Sequence, residues 1–193
     1  MLSDEPYNRI VFDKRRFASP VSFYDWTLIA YSYGKILLAP GERIGYLAIS
    51  PKPGMREAFR SMLLPMQVTC GWMFPNNVLQ YAIAELESLS IDVGHLQTKR
   101  DRMVSSLQRV GYEVQAPEGT FYLLPRSPLA DDIVFTELLA DHNVFVIPGR
   151  LVGAPGYFRI CLTATMDMIE RSLSGFEAAL LKARAGRPEA KCR

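Results

Sequence analysis

The sequence predicts an α/β amino-terminal region joined to a small α+β domain, and three observations carry that expectation. Residues 26–32 and 44–49 are nearly continuous apolar runs, rich in β-branched and aromatic side chains, and read as buried strands. Three helical patterns follow one another between residues 55 and 110. Beyond Gly111 the texture changes to short strand-like runs interrupted by helices, which is the signature of an α+β unit.

Taken in order, the first helix is expected over residues 55–64. The second, over 77–89, follows the Pro75-Asn76 start signal, and the third is a long amphipathic helix over 93–110 ended by Gly111. Strands are expected over 112–115, 120–124, 144–147 and 157–162, with a helix over 132–140 and a last helix over about 167–181. The polar tail, residues 185–193 with Gly186 and Pro188, should fray. A boundary in the window 91–105 divides the chain, and we set it between residues 91 and 92. The stretch Trp72-Met73-Phe74-Pro75 reads as core or subunit contact rather than chemistry.

Composition narrows the function. Of 193 residues, 49% are hydrophobic and 22% charged, as in ordinary folded proteins. The net charge of +2 is too small to point to nucleic acid or an anionic membrane. The chain lacks both an apolar stretch long enough to span a bilayer and a basic, then apolar, leader, so a cytoplasmic location is expected. Cys70, Cys161 and Cys192 are odd in number and far apart, which fits reduced thiols. With only His95 and His142 present, a histidine-based metal site or catalytic triad is poorly supplied, and no metal is expected.

The residues that carry chemistry cluster around Lys35. It directly follows an apolar strand in Ser32-Tyr33-Gly34-Lys35, and strand ends in α/β sheets are where ligands bind. Ser32 lies three residues before it and Arg43 eight after, so one connection offers a hydroxyl, an amine and a guanidinium. Serine and arginine suit a phosphate; a partly dehydrated lysine suits an aldehyde, because loss of ammonium hydration favours the neutral amine that forms a Schiff base. Ser32-x-x-Lys35 also matches serine acyl-transfer enzymes, but their S-D-N and K-T-G companions do not occur here.

Four motifs in order resemble the fold-type-I pyridoxal-phosphate aminotransferases of class I/II. They are Asp4-Glu5-Pro6-Tyr7, Ser32-x-x-Lys35 followed by Arg43-Ile44-Gly45-Tyr46, Pro117-Glu118-Gly119-Thr120-Phe121-Tyr122, and Phe158-Arg159-Ile160. The resemblance implies that residues 1–91 are the carboxyl-terminal part of a cofactor-binding large domain, mainly parallel sheet with helices, and that 92–193 form the small domain. It implies pyridoxal 5′-phosphate as cofactor and an amino acid and a 2-oxo acid as substrates. Lys35 would hold the cofactor and move the proton at the substrate α-carbon. Asp4 would face the pyridine nitrogen, Tyr7 the phenolate oxygen, and Ser32 and Arg43 the phosphate, while Arg159 would grip the substrate carboxylate. Read alone, Asp4 could cap a turn, Tyr7 could cover core, Tyr33 could line the pocket or pack, and Arg159 could be a surface strand residue. Gly119 and Thr120 read as structural.

The sequence departs from the family in lacking the glycine-containing phosphate loop, the aromatic that stacks on the pyridine ring and an asparagine toward the phenolate oxygen. That departure leads us to expect a truncated chain, inactive alone, whose exposed sheet needs a homodimer partner or a second chain. Two other readings are a non-catalytic association module and a cofactor-dependent lyase on the same scaffold.

Overall fold

The computed structural model describes residues 1–49, 55–71 and 74–185. Trp72 and Met73 of the aromatic stretch, and the tail from 186 with Cys192, lie outside the described residues. The chain divides into two compact units, Met1–Val93 and Gly94–Arg193.

The first unit holds a three-stranded sheet of β1 (Leu2–Asp4), β2 (Leu28–Ser32) and β3 (Gly45–Ile49), in that spatial order. β1 and β2 are parallel, with Asp4 opposite Ala30; β2 and β3 are antiparallel, with Ser32 opposite Gly45. Parallel neighbours need a long return connection. Here residues 5–27 supply it, anchored by the fully buried Ile10 and Phe12 and by buried Thr27, whose hydroxyl donates to the Tyr24 carbonyl at 2.5 Å. Ser19 starts a short 3₁₀ turn at Pro20–Ser22, and its hydroxyl donates to buried Glu5 at 2.6 Å, so the returning chain is tied beside β1. The three-residue β1 was not expected from its sequence, since its apolar content is one residue.

The expectation of two buried strands is corrected for both: in β2 only Tyr31 is buried, and β3 is an edge strand with β2 as its neighbour, whose Tyr46 and Leu47 remain 44% and 41% exposed. A sheet edge and its faces stay wet wherever no element packs on them, however apolar their sequence.

α1 (Tyr33–Ile36) is a single turn directly after β2. α2 (Met55–Thr69) runs past the expected end at residue 64 and through Pro65. Proline removes one intrahelical bond, and the turn beyond it is reinforced by the Thr69 hydroxyl, which donates to the Pro65 carbonyl at 2.9 Å. α3 (Asn77–Leu86) starts where expected, with the Asn76 side chain accepting from the Leu79 N–H at 3.2 Å. It ends three residues before the expected 89, where Glu87 caps it.

The second unit begins with α4 (Val93–Val110), bounded as expected, whose buried stripe is Leu96, Met103, Val104 and Leu107. Gly111 ends it at φ +103°, and a Cβ there would also lie 2.9 Å from the Arg184 guanidinium. β4 (Tyr122–Leu123), β5 (Ile147–Pro148) and β6 (Phe158–Cys161) form an antiparallel sheet with β6 in the centre. α5 (Asp132–Ala140) and α6 (Met166–Ala185) complete it. The strand expected at 112–115 is not formed. Its backbone bonds are divided: Tyr112 N–H donates to Leu107 at 2.9 Å and Gln108 donates to the Val114 carbonyl at 2.9 Å, both of α4, while the Glu113 carbonyl accepts from the Arg126 N–H at 2.9 Å. Tyr112 serves the core, its ring packed with Phe135, Phe158 and Phe176 and its hydroxyl donating to the Phe176 carbonyl at 2.8 Å.

One buried charge ties α5 to the loop before β6. Asp132 has no exposed surface and accepts from the Arg150 backbone N–H at 2.7 Å and from its guanidinium. Burial works to raise the Asp132 pKa, but the backbone and side-chain hydrogen bonds of Arg150 and its charge outweigh it and hold the carboxyl below its ordinary 3.8. A carboxylate with a lowered folded-state pKa contributes stability above the unfolded value and loses it as pH falls through the folded value. We therefore expect the Asp132→Asn variant to be less stable than the parent at pH 7, with the difference shrinking below about pH 4. Urea unfolding at pH 7 and pH 3 checks this; an equal gap at both would assign the contribution to something other than ionised Asp132.

Candidate active site

The first sheet places two of the six expected site residues, Asp4 and Ser32, at the carboxyl ends of β1 and β2, and three more, Tyr7, Lys35 and Arg43, in the connections next to the strands. Asp4 and Ser32 end the parallel strands β1 and β2, and β3 begins opposite Ser32 at Gly45, two residues after Arg43. Lys35 lies in α1, and Tyr7 follows β1 by three residues. In α/β sheets generally, ligands bind outside the carboxyl ends of adjacent parallel strands, which makes this end of the sheet the candidate position.

Each side chain is placed by local chemistry. Ser32 caps α1, its Oγ accepting from the Gly34 N–H at 3.3 Å, which leaves its own proton to donate outward. Lys35 sits between Tyr33 and Ile36, which are 3% and 0% exposed and root the turn, while Lys35 itself is half-buried. Its Nζ lies 5.9 Å from the centre of the Tyr7 ring. Arg43 adopts the left-handed conformation, φ 50°, and its guanidinium is exposed with one N–H given to the Pro40 carbonyl at 3.1 Å. Gly45 permits the entry into β3: a Cβ there would stand 2.2 Å from the Tyr31 carbonyl oxygen.

Tyr33 packs rather than opening toward the edge. Its phenol donates to Glu87 at 2.5 Å, and burial first, then that bond, raises its pKa, so it stays a neutral donor. Glu87 also stands 3.8 Å from Arg9, which donates to the Leu89 carbonyl at 2.9 Å. This Tyr33–Glu87–Arg9 brace holds the lysine-bearing turn against the end of α3. Its members are 24 to 78 positions apart in the chain, so no local motif could announce it.

Arg159 belongs to the second unit, in β6 between the buried Phe158 and Ile160. Its guanidinium carbon stands 4.3 Å from the centre of the Tyr122 ring. The Pro117–Tyr122 motif contains a further feature: Thr120 has φ 65°, and its buried Oγ1 has no hydrogen-bond partner among the described residues. A β-branched residue in the left-handed region costs about 1–2 kcal/mol, more than glycine's extra chain entropy of roughly 0.5–1 kcal/mol. Thr120→Gly should therefore raise stability by about 1 kcal/mol, helped by removal of the unpaired hydroxyl. A lowered thermal midpoint would show instead that the Thr120 side chain packs well enough to outweigh its backbone strain.

The candidate set comprises an amine, a carboxylate, a phenol, and a hydroxyl with a guanidinium. Comparison with known proteins shows the family. The chain belongs to the aminotransferase class I and II family, whose model matches residues 1–175. It is 27% identical over 180 residues to a probable aspartate aminotransferase of Methanocaldococcus jannaschii, covering 90% of this chain and 48% of that one. An LL-diaminopimelate aminotransferase of Dehalococcoides mccartyi is 32% identical, with 89% of this chain and 45% of that one covered. Among solved structures, an aminotransferase from Eubacterium rectale superposes with a TM-score of 0.87 at 28% identity, covering 94% of this chain and 46% of that one. The aspartate aminotransferase of Thermotoga maritima gives a TM-score of 0.77 at 26% identity, covering 93% and 47%. The chain thus spans about half the length of the curated relatives it matches.

Proposed function

We propose that this chain contributes the lysine-bearing part of a pyridoxal 5′-phosphate-dependent aminotransferase, which moves an amino group between an amino acid and a 2-oxo acid. The observation that supports it most is the placement of Asp4 and Ser32 at the carboxyl ends of β1 and β2, with Tyr7, Lys35 and Arg43 in the connections next to the strands, in a member of this family. When bound, the cofactor supplies an electron sink for the negative charge left at the substrate α-carbon.

The residues fit that group. Ser32 has a hydroxyl proton to give and Arg43 has N–H groups beyond the one on Pro40, so both can hold a phosphate. Asp4 would keep a proton on the pyridine nitrogen, and Tyr7 would donate to the phenolate oxygen. Lys35 would take the proton from the substrate α-carbon and return it, as base and then acid. Arg159 would hold the substrate α-carboxylate through two parallel N–H bonds.

Active enzyme is assigned to an assembly, either a homodimer or a pairing with a chain that completes the large domain. Leu2, Tyr46, Leu47, Met62 and Leu64 of the first unit are all at least 41% exposed, more apolar surface than water favours on one sheet and helix. The free, exposed thiols Cys70 and Cys161 support a reducing, cytoplasmic setting. Borohydride reduction of the chain with pyridoxal phosphate, followed by peptide mapping, tests the assignment. Label on Lys35 is expected; label confined to other lysines would remove its basis.

A further inference from the structure

We infer that Tyr122 is a positioning residue for Arg159: it fixes the plane of the guanidinium and leaves the in-plane N–H groups free for a substrate carboxylate. The inference rests on the carboxylate-binding role proposed above for Arg159 and adds the group that would make that role specific.

Register brings the pair together. Tyr122 of β4 lies opposite Cys161 of β6, and Arg159 is two positions from Cys161 on the same face, so Tyr122 and Arg159 are diagonal neighbours within reach of long side chains. The guanidinium carbon stands 4.3 Å from the ring centre. Tyr122 is itself held: Leu123 beside it is 1% exposed and pins the strand, and the Phe121 ring meets the Tyr122 ring edge-on at 4.8 Å.

The chemistry of a guanidinium makes this contact selective. Its faces are weakly hydrated and stack on aromatic rings, whereas all five N–H donors point outward in the plane. A ring on one face therefore uses none of the donors that a carboxylate needs. Arg159 makes no ion pair among the described residues, so those donors are not spent on a protein carboxylate. An arginine whose guanidinium already lies against a ring has given up part of its rotamer freedom before ligand arrives, which lowers the ordering cost of binding.

The probe is succinate, an amine-free dicarboxylate, titrated into the ¹⁵N-labelled full chain while the Arg159 Nε–H resonance is followed. In the parent, that resonance should sit upfield through the Tyr122 ring current and move on addition of succinate. Tyr122→Leu should abolish the upfield displacement and weaken succinate roughly 2- to 30-fold, the range spanned by cation–aromatic contacts. Tyr122→Phe should restore both, which a loss of fold could not. If succinate binds Tyr122→Leu as tightly as the parent while Arg159→Met loses it, the positioning role is overturned and the role of Arg159 survives. If succinate fails to move the parent resonance, or binds Arg159→Met unchanged, the assignment of Arg159 and the inference built on it both fall.

Discussion

Lys35→Ala is expected to leave the chain unable to be labelled at residues 32–43 by pyridoxal phosphate and borohydride, and to lower amino-group transfer by the assembled enzyme on the order of 10²–10⁴-fold, the usual worth of a positioned acid–base group. Lysine is needed for two separable reasons. Its amine alone among the side chains at this sheet edge can bond covalently to an aldehyde carbon, and the same amine can carry a proton. Lys35→Arg therefore provides the sharper variant: it preserves charge and much of the length but does not form the covalent bond, so it too should remain unlabelled. The chain has six lysines, and Lys35 is set apart by its place in a one-turn helix whose flanking residues, Tyr33 and Ile36, are buried. That placement anchors the backbone that carries the amine, whereas Lys14 lies exposed on a turn. Unchanged labelling of the parent and Lys35→Ala chains would mean that capture is nonspecific surface chemistry.

Phe158→Ala should cost about 3–5 kcal/mol, a large part of the 5–15 kcal/mol that typically separates a folded domain from its unfolded chain. Phe158 has no exposed surface and sits in the central strand of the second sheet, with ring centres of Phe135, Tyr112 and Phe176 at 5.3, 5.9 and 6.3 Å. Removing the ring loses its transfer free energy and leaves a space that the surrounding rings, fixed to α5, α6 and the segment just after α4, cannot collapse into. For a unit of this size the thermal midpoint should fall by roughly 12–40 °C. Phe145→Ala is the control, because Phe145 is 82% exposed and its loss should change stability by no more than about 0.5 kcal/mol. Near-ultraviolet circular dichroism during heating would compare them, and equal midpoints for the two variants would show that the aromatic cluster is not what holds this unit together. Arg159 adjoins Phe158, so softening the cluster should also blur the carboxylate-binding geometry proposed for it.

Much of the candidate site is legible in the sequence, because its residues lie in short motifs. Ser32 and Lys35 share one strand-to-turn connection, and Asp4 and Tyr7 share another. Helix termini were equally legible where a single residue decides them: Asn76 starts α3 and Gly111 ends α4. The misreadings have a common origin in competition for backbone hydrogen bonds. Residues 112–115 have the composition of a strand, but α4 takes the Tyr112 N–H and the Val114 carbonyl, and α2 passes through Pro65 because one missing bond does not end a helix that is otherwise intact.

Chain order and residue type were thus enough to assign the fold class and to nominate an amine, a carboxylate, a phenol and a guanidinium for one reaction, since these depend on local periodicity and on chemistry belonging to single side chains. Strand register decided that Asp4, Ser32 and the start of β3 share an edge, and that Tyr122 lies diagonal to Arg159. Long-range closure decided that Tyr33 donates to Glu87 instead of facing the site. Contacts of this kind couple residues tens of positions apart, and their free energy exists only once the chain has folded, so no short window of sequence contains it.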